Sequence, residues 1–147
     1  MRHIPIYKVQ LVREGTLIVP EKQVKSPQDV ADVLREYLKG ADREHFVALH
    51  LNAKLVIVGI ETVSVGILDA SFAHPREVFK AAILNNAASI IVGHNHPSGY
   101  PTYSSDDVGV TRRLVEAGEI IGIPVEDHVI IGEGNRYCSL REEGFIE

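Results

Sequence analysis

One stretch of the chain, residues 88–107, constrains both the fold and the chemistry more than any other. It begins with an apolar run at 88–93, which is short, rich in Ile and Val and typical of a buried β-strand. His94 and His96 follow directly. Side chains two positions apart on an extended segment point to the same side, so at the end of a strand these two imidazoles can bind one metal ion. The stretch therefore predicts a buried strand that ends in a pair of metal ligands.

A helix start follows the histidine pair. The segment at 97–103 contains two prolines and one glycine and is predicted to be a loop. Ser104 and Asp107 then have the spacing of an N-terminal capping box, in which a hydroxyl and an acid three residues later satisfy backbone N–H groups. The positive end of the helix dipole favours an ionised carboxylate, which is the form that binds metals. Asp106 is the competing ligand, but it points about 100° away around the helix axis. We therefore expect Asp107 to be the third ligand.

Two imidazoles and one carboxylate suit Zn²⁺, and three protein ligands with one open position are the arrangement of a catalytic zinc. A zinc-activated water also needs a proton acceptor. Glu44 and Glu61, at the edges of predicted strands, and Glu77, in a predicted helix, are candidates, and spacing alone does not choose among them. His128, at the start of a late strand, is a candidate for supporting the site or for a surface turn.

The rest of the chain predicts an α/β domain. Capping residues and helical spacing of apolar residues predict helices at 26–40, 75–88 and 104–121. Strands are predicted at 44–51, 55–65, 90–93, 125–131 and 137–140, the first two forming an antiparallel hairpin. This order indicates a mixed β-sheet flanked by helices. Ahead of the first helix, apolar and polar residues alternate more loosely, which predicts two more strands, at 4–12 and 16–19. Residues 1–25 are therefore expected to form an N-terminal strand extension.

Composition and charge argue against several classes of function. The 147 residues carry a formal net charge of −5, whereas a nucleic-acid-binding surface normally shows as a basic excess. Cys138 is the only cysteine, so no internal disulfide forms, which fits a reducing compartment. No apolar run approaches the roughly 20 residues that span a bilayer. We therefore expect a cytoplasmic protein without a membrane span and without a strong nucleic-acid signal.

The spaced residues Glu44…His94-x-His96…Ser104-x-x-Asp107 resemble the JAMM (MPN⁺) metalloprotease signature. More narrowly, the segments "AHPREVF", "AAILNNAA", "HNHPSG", "TRRLVEAG" and "IGIPVEDHVIIG" resemble the RadC-like branch of JAB domains, over most of the chain. The resemblance implies a cytidine-deaminase-like three-layer α/β/α sandwich at residues 26–147.

The same resemblance assigns roles to the candidate residues. It implies one Zn²⁺ per chain, held by His94, His96 and Asp107 with a water in the fourth position. Ser104 would help to stabilise an oxyanion. Glu44 matches the catalytic glutamate, and Glu61 is ranked second.

Two departures from the family pattern bear on function. Where the family commonly has Asp-Pro-Thr-Pro before the helix, this chain has Tyr100-Pro101-Thr102-Tyr103, which bears on substrate preference. Full-length RadC proteins also carry an N-terminal helix-hairpin-helix region, and only about 25 residues precede the first predicted helix here. The leading expectation is a zinc metallopeptidase or isopeptidase with a peptide or protein-conjugate substrate. The alternatives are a DNA-repair-associated accessory protein and a non-catalytic metal-binding scaffold.

Overall fold

The architecture is that of a computed structural model, which describes residues 1–68 and 73–147. Three α-helices and five β-strands alternate along the described chain. In chain order they are α1 (Pro27–Tyr37), β1 (His45–Leu51), β2 (Ile57–Val65), α2 (Pro75–Leu84), β3 (Ser89–Asn95), α3 (Ser105–Ile121), β4 (Val125–Ile131) and β5 (Tyr137–Ser139). No helix in the described parts of the chain is both long and apolar enough to cross a membrane.

The five strands form one mixed sheet in the order β2-β1-β3-β4-β5. β1 pairs with β2 and β3 in the antiparallel sense, β3 pairs with β4 in the parallel sense, and β4 pairs with β5 in the antiparallel sense. The predicted hairpin at 44–51 and 55–65 is therefore confirmed. The parallel β3–β4 connection runs through α3, as a crossover between parallel strands requires. β3 lies in the middle of the sheet, so the histidines at its end sit on a strand that is paired on both sides.

Helices cover both faces of the sheet, which gives three layers. α2 and α3 pack on one face around a core that includes Phe79, Val92 and Leu114. α1 packs on the other face around a core that includes Leu34, Leu49 and Val129. The α/β class and the mixed sheet flanked by helices are thus as predicted.

Local sequence signals set the starts of the helices. Ser26 and Asp29 form the capping box of α1, with Pro27 as its first residue. His74 accepts a hydrogen bond from the Arg76 backbone N–H at the start of α2, so this histidine is a helix cap. α2 ends at Leu84 rather than at 88.

The strands predicted at 4–12 and 16–19 are wrong. Residues 1–22, all of which the structure describes, contain neither helix nor strand, and Ile4, Ile6 and Val9 are exposed. Their alternation is that of a half-buried strand, but a strand is stable only when its backbone pairs with a neighbour. Leu17 and Val19 pack against the core on the α1 face. The Lys22 carbonyl accepts the backbone N–H of Ile57 in β2, and Gln23 forms an isolated antiparallel bridge to Val56.

Candidate metal centre

The end of β3 and the start of α3 meet at one edge of the sheet and bring three polar side chains together. His94 and His96 lie at the carboxyl end of β3, and Asp107 lies in the first turn of α3. His94 pairs with Phe46 of β1 and Ile130 of β4, so its backbone is fixed from both sides. His94 and Asp107 are almost completely buried, with 1% and 2% of their surface exposed.

The donor atoms of these three residues converge. His94 Nε2 lies 3.0 Å from His96 Nε2 and 3.2 Å from Asp107 Oδ1, and His96 Nε2 lies 3.5 Å from Asp107 Oδ2. In a tetrahedral metal site with bonds of about 2.0–2.1 Å, neighbouring ligand atoms are about 3.3 Å apart. The observed spacing fits that requirement without rearrangement of the backbone.

The tautomer of His96 also suits a metal. Its Nδ1 lies 2.9 Å from the carbonyl oxygen of Tyr100. A carbonyl can only accept a hydrogen bond, so Nδ1 carries the proton, and neutral His96 presents the lone pair of Nε2 to His94 and Asp107. The loop that supplies this carbonyl turns at Gly99, whose φ of +91° is a conformation that glycine adopts without strain.

The capping box of α3 orients Asp107. Its Oδ2 accepts the backbone N–H of Ser104 at 2.8 Å, while Ser104 Oγ accepts the backbone N–H of Asp107 at 3.1 Å. Burial by itself raises the pKa of Asp107, but the adjacent imidazoles of His94 and His96 outweigh it and hold that pKa well below its usual range. In turn, the neighbouring Asp107 raises the pKa of His96. The carboxylate is therefore ionised and aimed at the histidines.

Glu44 is a second acid close to the histidines. Its Oε1 lies 4.0 Å from His96 Nε2, and its Oε2 accepts the backbone N–H of Leu68 at 3.2 Å. Glu44, His94 and His96 place ligand atoms within 4.8 Å of one another and could hold a metal ion. Asp107 is closer to both imidazoles than Glu44 is to His96, and it is more buried. On these distances Asp107 meets the requirement for a third ligand better than Glu44 does.

The other candidate acids lie elsewhere. Glu61 is on β2 opposite Ala48, and its partial burial raises its pKa. Glu77 is half-buried and forms an ion pair with Lys80 at 2.8 Å. Asp106 is exposed and lines the cleft without contacting the histidines in the described structure. Of the three glutamates considered from the sequence, the structure brings only Glu44 to the histidines.

One residue of the cluster was left undecided by the sequence. His128, in β4, is completely buried, and its Nε2 lies 2.8 Å from His94 Nδ1. It follows Asp127, whose carboxylate accepts the hydroxyl of Ser139 at 2.6 Å and so ties β4 to β5. A histidine directly before the apolar run at 129–131 was the available signal, but the pairing with His94 depends on the parallel register of β3 and β4.

Two tyrosines mark the rim of the site. The Arg136 guanidinium lies 5.5 Å from the centre of the Tyr100 ring. Tyr103 packs edge-on against Phe145, with ring centres 5.1 Å apart. A cleft of about 290 Å³ lies beside the donor atoms, and its lining includes Glu44, His96 and Ser104.

The mixed sheet covered by helices on both faces, with a histidine and carboxylate cluster at the end of its central strand, is consistent with a JAB/MPN-like domain. The family model described as "RadC-like JAB domain" matches residues 24–145, and the chain belongs to that family.

Curated relatives agree with this membership. A UPF0758 protein of Caldanaerobacter subterraneus is 56% identical over 124 residues, which is 84% of this chain and 53% of the relative. A UPF0758 protein of Desulforamulus reducens is 53% identical over 84% of this chain and 54% of the relative. One from Methanosarcina mazei is 46% identical over 87% of this chain and 56% of the relative. The chain thus spans about half the length of the curated relatives it matches.

Proposed function

We propose that this chain is a zinc-dependent hydrolase of the JAMM type that cleaves an amide or isopeptide bond in a peptide or protein conjugate. The observation that carries the proposal is the convergence of the His94 and His96 Nε2 atoms and the Asp107 carboxylate, with separations of 3.0–3.5 Å, and with the carboxylate of Glu44 next to them. One Zn²⁺ per chain would be held by these three ligands. Two neutral imidazoles and one carboxylate form a donor set that zinc favours in hydrolytic sites.

A zinc ion in such a site supplies Lewis-acid activation of a water molecule and of a substrate carbonyl. The carboxylate of Glu44 is placed to accept the proton of that water and to pass it to the leaving nitrogen. Its Oε2 is held by the Leu68 N–H, which leaves Oε1 facing the histidines. Proton transfer by a positioned side chain typically contributes 10²–10⁴-fold to the rate.

Ser104 is placed to stabilise the carbonyl oxygen of the scissile bond as negative charge develops on it. Its Oγ already accepts the Asp107 N–H, which uses a lone pair and leaves the hydroxyl proton free to be donated into the cleft. A single donor of this kind is typically worth about 3–4 kcal/mol in enzymes that depend on it.

The rim of the cleft suits a chain-like substrate. Ile67, Leu68 and Pro97 provide apolar surface next to the polar donors. Tyr100 and Tyr103 extend the surface outward, and both are exposed. Aromatic side chains of this kind contribute contact area at a low cost in conformational entropy. A peptide could therefore lie across the rim with its amide bond above the donor atoms.

The experiment compares Glu44→Gln with Glu61→Gln as a matched control, because both glutamates are candidate proton acceptors in the sequence and only Glu44 lies beside the histidines. Each zinc-loaded protein is incubated with a proteome-derived peptide library, and newly formed amino termini are identified by mass spectrometry. We expect wild type and Glu61→Gln to release the same termini, and Glu44→Gln to bind zinc but release none. Cleavage by Glu44→Gln at the wild-type level would remove Glu44 from the mechanism. A zinc-loaded wild type that releases no termini would reject the peptidase assignment.

A further inference from the structure

A chain of three buried hydrogen bonds runs behind the proposed metal site. His94 Nδ1 lies 2.8 Å from His128 Nε2. His128 Nδ1 lies 2.6 Å from Thr111 Oγ1, and Thr111 Oγ1 lies 2.7 Å from the backbone carbonyl oxygen of Asp107. His128 and Thr111 are completely buried and His94 is 1% exposed, so bulk water does not compete for these hydrogen bonds.

The chemistry of the groups sets the direction of the chain. A carbonyl oxygen only accepts, so the Thr111 hydroxyl donates to Asp107 and can only accept from His128 Nδ1–H. Neutral His128 has a single N–H, so its Nε2 must accept, and His94 must donate from Nδ1. His94 Nε2 is then left with a lone pair that faces His96 and Asp107.

The opposite direction would disable the site. If the Thr111 hydroxyl turned from the Asp107 carbonyl to His128 Nδ1, then His128 would donate to His94 Nδ1. The proton of neutral His94 would then occupy Nε2, the atom that faces the other ligands, and it would block coordination there. The Asp107 carbonyl favours the first direction because it offers the hydroxyl an acceptor one helical turn before Thr111.

We propose that Thr111 and His128 are positioning residues that fix the ring orientation and tautomer of His94 and thereby set the metal affinity of the site. The inference rests on the proposed function, since it assumes that His94 is a ligand. A hydrogen bond on the far nitrogen of a metal-bound histidine commonly orients the ring, and its loss costs 10–100-fold in metal affinity. In this chain the relay begins at the backbone of Asp107, so two of the three proposed ligands are connected through it.

Packing holds the relay in place. Phe46 of β1 lies edge-on to the His128 ring, with ring centres 5.7 Å apart and planes at 89°. It also lies 6.1 Å from the His94 ring centre. The Phe46 ring therefore packs beside both imidazoles and helps to hold their orientation.

The test uses Thr111→Val, which keeps the shape of the side chain and removes the hydroxyl, with Thr111→Ser as the conservative control. Zn²⁺ dissociation constants are measured by competition with a chelator, and thermal unfolding of the metal-free proteins monitors folding. We expect Thr111→Ser to bind zinc like wild type and Thr111→Val to bind 10–100-fold more weakly. A folded Thr111→Val that binds within about threefold of wild type would overturn the proposal.

A second measurement does not depend on zinc or on the variants. Long-range ¹H–¹⁵N NMR spectra of metal-free wild type, at a pH where the imidazoles are neutral, report which nitrogen of His94 carries the proton. The relay predicts protonated Nδ1, and protonated Nε2 would overturn it. If wild type binds no zinc, the proposed function fails, while the NMR result still decides the direction of the relay.

Discussion

Alanine at Gly118 and alanine at Gly109 should change stability in opposite directions, although both glycines belong to α3. Gly109 is exposed, and a Cβ added there meets nothing within 4 Å. At Gly118 an added Cβ would lie 2.6 Å from the carbonyl oxygen of Ile123 and 3.3 Å from Phe79 Cζ. The two substitutions share the same gain in helix propensity and differ in the space available.

The magnitudes follow from these two environments. Replacing glycine by alanine within a helix stabilises by about 1 kcal/mol, which raises the melting temperature of a domain of this size by about 2–4 °C. The clash at Gly118 is with the backbone oxygen of Ile123, and the Ile123 N–H donates a hydrogen bond to the Gly118 oxygen at 3.0 Å. The two backbone segments therefore cannot move apart without losing that hydrogen bond. Because a backbone atom cannot move aside as a side chain can, this overpacking falls in the upper part of the usual range, at about 2–3 kcal/mol. After the propensity gain of about 1 kcal/mol, Gly118→Ala should be destabilised by about 1–2 kcal/mol in total.

Urea unfolding of wild type and both variants, followed by circular dichroism, measures the difference directly. We expect the free energies of unfolding of the two variants to differ by about 2–3 kcal/mol, with wild type between them. Equal stabilisation of both variants would refute the close packing of α3 against the turn that leads into β4. A destabilised Gly109→Ala would refute the open environment assigned to the start of the helix.

Three further outcomes are expected. Leu114→Ala should lower the free energy of unfolding by about 2–5 kcal/mol because Leu114 is fully buried. Ile120→Ala, at an 88% exposed position of the same helix, should change it by less than about 0.5 kcal/mol. Equal effects of the two variants in urea unfolding would contradict the packing of α3. Burial raises the pKa of the Cys138 thiol to about 11. Iodoacetamide at mildly alkaline pH should therefore modify Cys138 about 100-fold more slowly in the folded than in the urea-unfolded protein, as followed by mass spectrometry, and equal rates would refute the burial. Tyr100→Ala should leave zinc affinity within about threefold of wild type because His96 bonds the backbone carbonyl at this position, and a larger loss in chelator competition would assign a role to the ring itself.

Local signals along the sequence were enough to predict most of the fold. Ser26 and Ser104 each begin a capping box, and β4 occupies the predicted range. Such features depend on residues a few positions apart, so they can be recognised without knowledge of tertiary contacts. The strand predicted at 4–12 failed for the opposite reason: its alternation is local, but a strand also needs a partner, and pairing is a property of the whole fold.

Part of the candidate site could likewise be predicted from local sequence, and part depends on the whole fold. His94, His96 and Asp107 lie within 14 positions, and a strand end followed by a helix start is sufficient to place them together. Glu44 is about 50 residues upstream, and only the family resemblance selected it over Glu61. In the structure, Glu44 comes close to His96 because β1 pairs with β3 in the antiparallel sense. His128 was undecided because its contact with His94 requires the β3–β4 register, which no local pattern encodes.

The central claim is that the end of β3 and the start of α3 form a zinc site. Metal analysis of purified protein after zinc loading and removal of free metal tests it most directly, with His3→Ala as a control at an exposed histidine that belongs to no helix or strand. We predict about one zinc per chain in wild type and in His3→Ala, and none in a folded His94→Ala protein. Wild type without stoichiometric zinc, or His94→Ala with as much zinc as wild type, would contradict the account.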